Sequence, residues 1–475
     1  MKRIDRYRLL IERSGDMHVA ATVYASDRIR IESDALEQLK SATRLPSVVR
    51  VLATPDIHVG YGVPIGCVVG LREIIVPAAV GYDLNCGMRL MTTPLKRGEV
   101  DVDRIAHSIR RDIPLGEGKS NLRMERDAFE VILAKGVRGI AEVAGGTGRV
   151  WEARDADEEA RDIAHIEDNG SMAGDPSAVS ERARQRGLNQ LGTLGGGNHF
   201  VEIQVVDRVL DEETAGRFGI EQDQITVMVH SGSRGLGHQV GDDYMKLARK
   251  IMGDGGPGRG LNYLRVKDKP GQRYIGAMYA AANFAFANRQ FMGSLVRHNF
   301  RREFGDMAMP IIYDVPHNMA KLEEHMGTAM WVHRKGATRA FGPSRMTGTA
   351  FADVGQPVLI PGSMGTASYV LVGVDSERAE EALCSVNHGA GRMMSRSAAR
   401  GKVSRKGKVL KEGAITDEAF ERSMRGITLI AEKRWAVKEE APAAYKDIDA
   451  VIETVVEAGL AKAVARLRPL AVLKG

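Results

Sequence analysis

The chain has 475 residues and a formal net charge of +6, so it has room for a large core and a basic balance that suits a polyanionic partner. Its content of 43% hydrophobic and 27% charged residues is typical of a soluble globular protein. Three cysteines exclude a disulfide framework, and the sequence contains neither a signal peptide nor an apolar run of membrane-spanning length, so we expect a cytoplasmic protein without a membrane partner.

The first 190 residues are predicted to form short strands, helices and two polar loops. Residues 1–50 have the pattern of short strands and a helix. Two glycine-containing loops are predicted next. The first is 55–66, which contains Asp56 and His58, and the second is 80–88, which contains Asp83 and Cys86. Residues 100–190 are predicted to be mainly helical, and we expect a surface insertion or loop over 150–190, whose charge-rich stretch 152–168 suits a solvated helix.

A run of three glycines leads directly into a cluster of polar and strand-forming residues, which are Asn198, His199, Phe200, Val201 and Glu202. Glycines in series allow a backbone to approach a ligand closely and to turn its N–H groups inward. The residues from 200 onward favour a strand. The stretch therefore indicates a ligand site at the start of a strand, and a connecting surface segment is predicted over 205–226.

The second half of the chain repeats the pattern of a strand next to a polar loop. These pairs are strand 225–229 before His230 and Arg234, strand 310–316 before His317 and Asn318, and loop 361–368 before strand 369–372. Between them a long helix is predicted over 274–304, and Lys335 lies in a basic turn. Because such motifs extend over most of the chain, we expect one interlocked domain over 1–475.

The last predicted site motif is Asn387–Arg392, which opens a helix that carries Arg396 and Arg400. The basic run over 400–412 is expected to be a surface loop.

Histidines, a carboxylate and a thiol predict a metal site. Five histidines follow strand ends or glycine loops, and they are His58, His199, His230, His317 and His388. Asp83 and Cys86 are close enough in sequence to share a metal centre, and a thiolate can bridge two ions. Such donors suit Zn, Mn, Fe or Co. The sequence lacks the paired cysteines of a structural zinc site, which favours a catalytic centre with open positions.

Glycine-rich turns and arginines predict an anion site beside the metal. Turns at 195–197, 232–237, 362–365 and 389–391 can present N–H groups to phosphates, with Arg234, Lys335, Arg392 and Arg396 in or beside such turns. Each of these cations could instead be a solvated surface charge. Together with a histidine that can carry a phosphoryl group, the pattern indicates phosphoryl or nucleotidyl transfer.

In these motifs the chain resembles a known family, the RtcB RNA-splicing ligases. The resemblance covers nearly the whole sequence through the motifs 55–66, 80–88, 192–203, 230–240, 281–290, 333–341, 360–373, 387–396 and 468–475. One departure lies at Tyr82 and Asn85, where the family usually has a smaller residue and a glycine. This departure affects loop shape and metal preference, whereas Asp83 and Cys86 themselves are retained.

The resemblance implies an α+β fold, a single large RtcB-like domain of mixed sheets and surrounding helices with a central active site built from loops. It implies a ligase that uses GTP and two Mn²⁺ ions to join RNA 2′,3′-cyclic phosphate or 3′-phosphate ends to 5′-hydroxyl ends, in tRNA splicing or RNA repair. His388 would form a His–GMP intermediate, and GMP would then activate the RNA 3′-end.

The resemblance also assigns residues to each ligand. One Mn²⁺ would be held by Asp83, Cys86 and His199, and the second by Cys86, His230 and His317. The nucleotide-contacting positions would be Asn198, His199, Phe200, Val201, Glu202, His317, Asn318, Pro361, Gly362, Ser363, Met364, Ser368, His388, Gly389, Ala390, Gly391 and Lys474. Arg234, Lys335, Arg392 and Arg396 are expected to hold RNA phosphates. We expect a monomer assisted by an archease protein.

Two other functions fit parts of the pattern. A metal-dependent phosphohydrolase or cyclic phosphodiesterase acting on RNA ends could use the same ligands to activate water, although it would not need a guanylated His388. A non-catalytic RNA-binding protein is disfavoured because aromatic residues, at 5%, are scarce for base stacking.

Overall fold

The computed structural model describes residues 1–143, 146–253, 255–403, 409–432 and 436–475. Within these ranges the chain has the mixed helix-and-sheet architecture that the sequence predicts. The expected basic loop over 400–412 lies partly outside the described residues, at 404–408, and two short strands flank that gap. No helix in the described ranges is both long enough and apolar enough to cross a membrane.

The strands in chain order are β1 (Lys2–Asp5), β2 (Arg8–Ile11), β3 (Ala21–Tyr24), β4 (Val48–His58), β5 (Ile65–Leu71), β6 (Ile74–Ile75), β7 (Gly87–Lys96), β8 (Phe200–Val209), β9 (Gln224–Ser231), β10 (Leu264–Arg265), β11 (Ile311–Pro316), β12 (Asn318–His325), β13 (Thr328–Lys335), β14 (Ala337–Arg339), β15 (Pro357–Ile360), β16 (Ser368–Gly373), β17 (Ser385–Asn387), β18 (Gly401–Val403), β19 (Val409–Glu412), β20 (Thr428–Ala431) and β21 (Ala461–Lys474).

The α-helices are α1 (Ser33–Ala42), α2 (Val102–Asp112), α3 (Arg126–Lys135), α4 (Val137–Ile140), α5 (Arg149–Glu152), α6 (Ala156–Asp162), α7 (Glu181–Gly187), α8 (Glu212–Phe218), α9 (Arg234–Met252), α10 (Lys269–Phe304), α11 (Glu377–Glu381), α12 (Arg396–Arg400), α13 (Asp417–Ser423) and α14 (Ile448–Glu457). Short 3₁₀ turns lie at Pro77–Ala79, Arg97–Glu99, Ile163–His165, Glu167–Gly170, Pro176–Ala178, Pro343–Arg345, Val437–Glu440 and Pro442–Ala444.

Two large sheets organise the described residues. The first has the order β1-β2-β3-β4-β5-β13-β12 and is antiparallel apart from the β3–β4 pair. The second has the order β11-β7-β9-β8-β21-β16-β15, and β20 adds to β21 in parallel. Smaller pairs join β10 to β6, β14 to β17 and β18 to β19.

The long helix α10 forms the centre of the largest hydrophobic core. It has 36 residues, and alanines along its first half allow neighbouring elements to pack closely. Phe284 and Phe291 belong to the same buried cluster as Val201 of β8 and Val229 of β9. The helix thus lies against the second sheet, and its buried polar residues reach the loops at one end of that sheet.

The charge-rich stretch 152–168 contains helix α6, which exposes Asp157 and Arg161, but the expectation of a solvated helix is wrong for its buried acids. Glu158, Asp162 and Glu167 are buried. Their charges are neutralised by partners elsewhere, for example by Arg297 of α10, whose Nη1 lies 2.7 Å from Asp162 Oδ2. Whether 150–190 is an insertion stays a prediction.

The expected surface segment over 205–226 is also partly wrong. Strand β8 continues to Val209, and Val205 and Val206 are buried within the sheet. Their β-branched side chains suit a buried strand better than a connection.

Candidate active site

Four neighbouring strands deliver the predicted metal ligands to one end of the second sheet. Cys86 precedes β7 and His199 precedes β8, whereas His230 lies near the end of β9 and His317 follows β11. Because β7 is antiparallel to both β9 and β11, and β8 is antiparallel to β9, these starts and ends meet at the same edge. The register places Met88 and Phe200 opposite His230.

The ligand atoms lie close together. His199 Nε2 is 2.7 Å from Asp83 Oδ2 and 3.3 Å from Cys86 Sγ. Cys86 Sγ is 3.1 Å from His230 Nε2, which is 3.2 Å from His317 Nε2. These separations of about 3 Å suit neighbouring ligands around an ion with bonds of about 2.0–2.3 Å. The five side chains form a chain of donors with Cys86 at its centre.

The electrostatics of this cluster fit a bound cation. Burial lowers the pKa of His230 and His317 well below the usual value, so both imidazoles are neutral and offer lone pairs. Burial would raise the pKa of Asp83, but His199 outweighs it and the pKa is about 2. Burial raises the pKa of the Cys86 thiol well above its usual value, so only a cation would favour the thiolate.

Two buried side-chain atoms of the predicted metal ligands have no hydrogen-bond partner among the described residues. They are Asp83 Oδ1 and His230 Nδ1. A buried carboxylate oxygen without a hydrogen bond is costly unless a cation satisfies it. The donor set and the unpartnered carboxylate oxygen therefore fit one or two divalent transition-metal ions.

One arginine on α10 fixes the loops that carry three of the ligands. Arg289 is fully buried and donates from Nη1 to the carbonyls of Asn85 (2.8 Å) and Ser231 (2.9 Å). Its Nη2 donates to Asp314 Oδ1 at 2.7 Å. These contacts tie together the segments next to Cys86, His230 and His317.

An asparagine on the same helix fixes the glycine-rich loop before β8. Asn288 Oδ1 accepts hydrogen bonds from the N–H groups of Gly192 (2.9 Å) and Thr193 (3.2 Å). These contacts give the asparagine a positioning role for the His199 loop.

His388 lies next to the metal cluster and is oriented by a carboxylate. Its ring centroid is 4.9 Å from that of His317, and its Nδ1 is 2.6 Å from Asp56 Oδ2. Asp56 is fully buried, which would raise its pKa, but hydrogen bonds from His388 and Thr54 outweigh burial and hold the pKa below its usual value. A carboxylate at Nδ1 fixes the proton there and leaves Nε2 with a free lone pair.

A cleft of about 480 Å³ opens beside His388. Twelve of the predicted nucleotide positions line it, and they are Asn198, Phe200, Glu202, Pro361, Gly362, Ser363, Met364, His388, Gly389, Ala390, Gly391 and Lys474. The size is within the range of small-molecule sites. The remaining predicted positions do not line this cleft.

These remaining positions have definite contacts. Ser368 Oγ accepts from the N–H of Gly362 at 3.3 Å, and Asn318 Nδ2 donates to the Asp83 carbonyl at 3.1 Å. Val201 is buried in β8. His199 and His317 belong to the metal cluster.

One acidic and one basic side chain are buried at the lining of the cleft. Glu202 lies on β8 and Lys474 on the neighbouring β21, and both line the cleft. Burial raises the pKa of Glu202 to about 8 and lowers that of Lys474 to about 8. The Lys474 ammonium donates to the His199 carbonyl at 3.2 Å. The pair provides an acceptor and a donor for a bound polar ring.

A second cleft lies at the end of the metal cluster that Asp83 and His199 form. Asp83, His199, Arg234 and Arg396 line it together with Asn198. Arg396 and Asn198 also line the first cleft, so the two clefts share these two residues.

The four predicted phosphate-binding cations have different environments. Arg396 is half-exposed, with Nε 3.0 Å from Glu440 Oε1. Arg392 lines the first cleft and donates to the Glu439 carbonyl at 2.7 Å. Arg234 is largely buried in the second cleft and donates from Nε to Thr193 Oγ1 at 3.2 Å.

Lys335 differs from the other three cations. Its ammonium is buried and donates to three backbone carbonyls, those of Tyr61 (2.5 Å), Ala78 (3.0 Å) and Val63 (3.4 Å). All three of its donors are thus satisfied within the protein.

Sequence reasoning missed several residues that shape this site. Asp56 was noted in its loop but not as the partner of His388, and Arg289 and Glu440 were not singled out. Lys446 is buried and donates to the carbonyls of Pro55 (3.0 Å) and Ile57 (2.6 Å), on either side of Asp56. The only feature of the sequence that could have identified these residues is a charged side chain within an otherwise apolar motif.

A second group of metal-type donors does not form a comparable site. His325, Glu380 and Cys384 have ligand atoms within 4.8 Å of one another. The guanidinium of Arg345 already lies among them, with Nη1 3.0 Å from His325 Nδ1 and 3.3 Å from Glu380 Oε1. This cation takes the place that a metal ion would need.

Taken together, the buried donor cluster, the oriented histidine and the adjoining cleft indicate a metal-binding enzyme of phosphoryl or nucleotidyl transfer. The family model for tRNA-splicing ligase RtcB matches residues 38–475. The chain is 44% identical to the tRNA-splicing ligase RtcB of Thermococcus kodakarensis, 42% to that of Archaeoglobus fulgidus and 41% to that of Nanoarchaeum equitans. Each alignment covers 100% of this chain and 99% of the relative. The chain belongs to the RtcB family of RNA ligases.

Proposed function

We propose that this protein joins RNA ends that carry a 2′,3′-cyclic phosphate or 3′-phosphate to ends that carry a 5′-hydroxyl, using GTP and two Mn²⁺ ions. The observation that carries the proposal is His388, oriented by Asp56 and placed between the ligand cluster and the nucleotide-sized cleft. The similarity to curated tRNA-splicing ligases supports tRNA splicing as the setting.

The first step follows from the orientation of His388. With its proton held at Nδ1 by Asp56, the free Nε2 attacks the α-phosphate of GTP, an N–P bond forms and pyrophosphate leaves. The backbone N–H of His388 also donates to Asp56 Oδ2 at 3.3 Å, so the carboxylate fixes both the ring and its peptide. GMP then passes to the RNA 3′-phosphate, and the 5′-hydroxyl displaces it to form the phosphodiester.

Glu202 and Lys474 support guanine as the base. One edge of guanine presents N–H donors beside the O6 acceptor. The carbonyl oxygen of the Glu202 carboxyl group can accept from these N–H groups and the Lys474 ammonium can donate to O6, whereas adenine presents an amino group where guanine has O6. The buried pair in the cleft therefore favours GTP over ATP.

The donor set supports two manganese ions that share Cys86. Asp83, Cys86 and His199 would hold one ion, and Cys86, His230 and His317 the other. When bound, such ions neutralise phosphate charge and polarise the phosphorus that is attacked. Imidazole, carboxylate and one thiolate are compatible with Mn²⁺.

Arg234, Arg392 and Arg396 are proposed to hold the RNA phosphates. Each lines one of the two clefts that meet at Asn198, and guanidinium groups bind phosphate oxygens in pairs. The contacts of Lys335 favour a structural role, and we leave it out of this set.

The phosphohydrolase alternative is not favoured. The curated relatives are ligases. A hydrolase would also need no nucleophilic histidine beside a nucleotide-sized cleft.

Three further expectations accompany the proposal. We expect the reducing cytoplasm as the compartment, because Cys67, Cys86 and Cys384 are all free and buried and Cys86 must stay reduced to bind metal. The monomeric state and the archease partner stay predictions that come from the family resemblance. Sedimentation of the purified chain, alone and with an archease, tests both.

The decisive experiment is covalent labelling with α-labelled GTP and Mn²⁺. We expect acid-labile, alkali-stable labelling that is lost in His388→Ala. Asp56→Asn should slow labelling roughly a hundred-fold or more, because it no longer fixes the reactive tautomer. Thr54→Val removes hydrogen bonds to Asp56 Oδ1 (2.6 Å) and to the Gly66 carbonyl (3.0 Å) but keeps the Asp56 carboxylate, so it serves as the milder matched variant. Equal labelling of His388→Ala would refute the assignment.

A further inference from the structure

Three aromatic rings from distant parts of the sequence form a row beside the metal cluster. The rings of Tyr61 and Tyr82 have centroids 6.3 Å apart, and those of Tyr82 and His238 are stacked at 4.9 Å with planes 20° apart. Tyr61 follows β4, Tyr82 precedes the metal-ligand candidate Asp83, and His238 lies on α9. We call these three residues the aromatic row.

The aromatic row is open to solvent and is not held by side-chain hydrogen bonds. Tyr61 is 43% exposed, His238 is exposed and Tyr82 is half-buried. In the ranges that the structure describes, none of the three side chains forms a hydrogen bond. Exposed, unbonded aromatic faces in series are typical of surfaces that bind flat ligands.

Buried contacts fix the backbone of the row. The Lys335 ammonium donates to the carbonyls of Tyr61 and Val63 on one loop and of Ala78 on the next, which leads to Tyr82. A buried lysine that joins these two loops sets the separation of the two tyrosines. Lys335 therefore has a structural role in place of the phosphate-binding role that we expected from the sequence.

The row connects two surface hollows. Tyr61 and the exposed Arg259 line a hollow next to α1, whereas Tyr82 and His238 line the second cleft. The exposed Arg186 also lines the second cleft, with Nη1 2.9 Å from Gln239 Oε1. Aromatic faces interleaved with arginines along a groove are the arrangement by which proteins bind single-stranded nucleic acid.

We propose that the aromatic row is a stacking platform for the unpaired bases next to the 5′-hydroxyl end of the RNA. This inference rests on the proposed RNA-sealing function and deepens it by naming how that strand is held. Any base can stack on an aromatic face, so the platform accepts many sequences but requires unpaired nucleotides.

The position of the aromatic row indicates which of the two RNA ends it binds. His388, from which GMP passes to the RNA 3′-phosphate, lies beside the first cleft, so the GMP that leaves in the sealing step lies on that side, whereas Asp83 and Tyr82 lie in the second cleft. The entering and leaving oxygens of a phosphoryl transfer are roughly in line on opposite sides of phosphorus. The 5′-hydroxyl therefore enters from the second cleft, and its nearest bases lie along the row.

Binding of a short 5′-hydroxyl oligoribonucleotide to the full chain with Mn²⁺, followed by fluorescence anisotropy, tests the platform. A second oligonucleotide has the same phosphates but lacks bases at its first positions. We expect the wild type to bind the abasic strand roughly five- to hundred-fold more weakly. In Tyr82→Leu and His238→Leu this preference should disappear, whereas Tyr82→Phe, which keeps the ring, should retain it.

The matched control for His238→Leu is His107→Leu, an exposed histidine on α2 that lines neither cleft. It should keep the full preference for bases. Equal wild-type binding of both oligonucleotides, or an unchanged preference in His238→Leu, overturns the platform. A preference for bases only in a 3′-phosphate strand overturns the strand assignment. A chain that binds neither oligonucleotide and seals no RNA overturns the proposed function itself.

Discussion

Cys86 has the central position in the ligand cluster, because its sulfur lies within 3.3 Å of both His199 and His230. Asp83 lies at the His199 end of the cluster. Cys86→Ala should therefore reduce bound manganese from about two ions to below one and cost more sealing activity than Asp83→Ala. Metal analysis of dialysed protein, with Cys67→Ala as the buried-cysteine control, measures this. A fully loaded and active Cys86→Ala would show that the sulfur is not shared.

The raised pKa of Glu202 predicts a dependence of stability on pH. The folded protein keeps this carboxyl protonated up to about pH 8, whereas the ordinary value is 4.5. Between these values the folded state binds more protons, so this group makes the protein less stable as pH rises. Glu202→Gln, studied without GTP, should leave the unfolding midpoint nearly unchanged at about pH 5 and raise it relative to wild type at about pH 7.5.

The control for this experiment is Glu212→Gln on α8, an exposed carboxyl at a helix N-terminus. It should show no such pH-dependent gain. A Glu202→Gln midpoint that differs from wild type by the same amount at both pH values would contradict the argument.

Among the secondary-structure elements, the strand–loop motifs were predictable because each combines an apolar strand pattern with an adjacent polar loop. The sequence placed strands near β4, β9, β11 and β16, and the long helix over 274–304 corresponds to α10. It missed the extent of β8, whose outer half is buried by a partner strand from the far end of the sequence. It also treated buried acids as solvated, because a single sequence does not show which arginine will neutralise them.

Helix α10 joins the second sheet through buried ion pairs, and this predicts a large stability effect. Asp314 of β11 is fully buried and accepts from Arg289 Nη2 (2.7 Å) and Arg89 Nε (2.8 Å). Asp314→Asn leaves two buried guanidinium groups short of one negative charge and should cost about 3–5 kcal/mol of unfolding free energy.

Denaturant unfolding measures this loss, and Asp306→Asn is its matched control. Asp306 is 97% exposed and lies 3.5 Å from Arg301, so its loss should change the unfolding free energy by less than about 0.5 kcal/mol. Because Arg289 also holds the loops of Cys86 and His230, Asp314→Asn should bind less manganese as well. Similar stabilities for the two variants would disprove the role assigned to the buried pair.

At the scale of the whole molecule, the two clefts predict a division of labour between nucleotide and RNA. Arg234→Ala and Arg396→Ala should retain His388 labelling with GTP while sealing falls roughly ten- to a hundred-fold for each lost phosphate contact. RNA binding by the wild type should weaken steeply with salt, because phosphate neutralisation releases counterions. Loss of labelling as severe as the loss of sealing would place both arginines in the nucleotide site or the fold.

Most residues of the site could be predicted, because they lie within sequence motifs of the family. The residues that hold them in position could not be predicted. His388 and Asp56 are 332 positions apart, and the three rings of the aromatic row come from three separate loops and helices. Such contacts depend on how the two sheets are placed, and no local pattern encodes them. The low aromatic content of the sequence therefore did not predict that its few exposed rings lie next to one another.

Strand β21 has a consequence for how the protein is made. It pairs with β8, which was synthesised some 260 residues earlier, and with β16, and it also supplies Lys474 to the cleft. Until residues 461–474 leave the ribosome, two hydrophobic strands have unpaired edges and the cleft beside His388 lacks the Lys474 ammonium. A nascent chain stalled before this strand would thus be inactive and prone to aggregate, and only a chain translated through this strand can complete the catalytic centre.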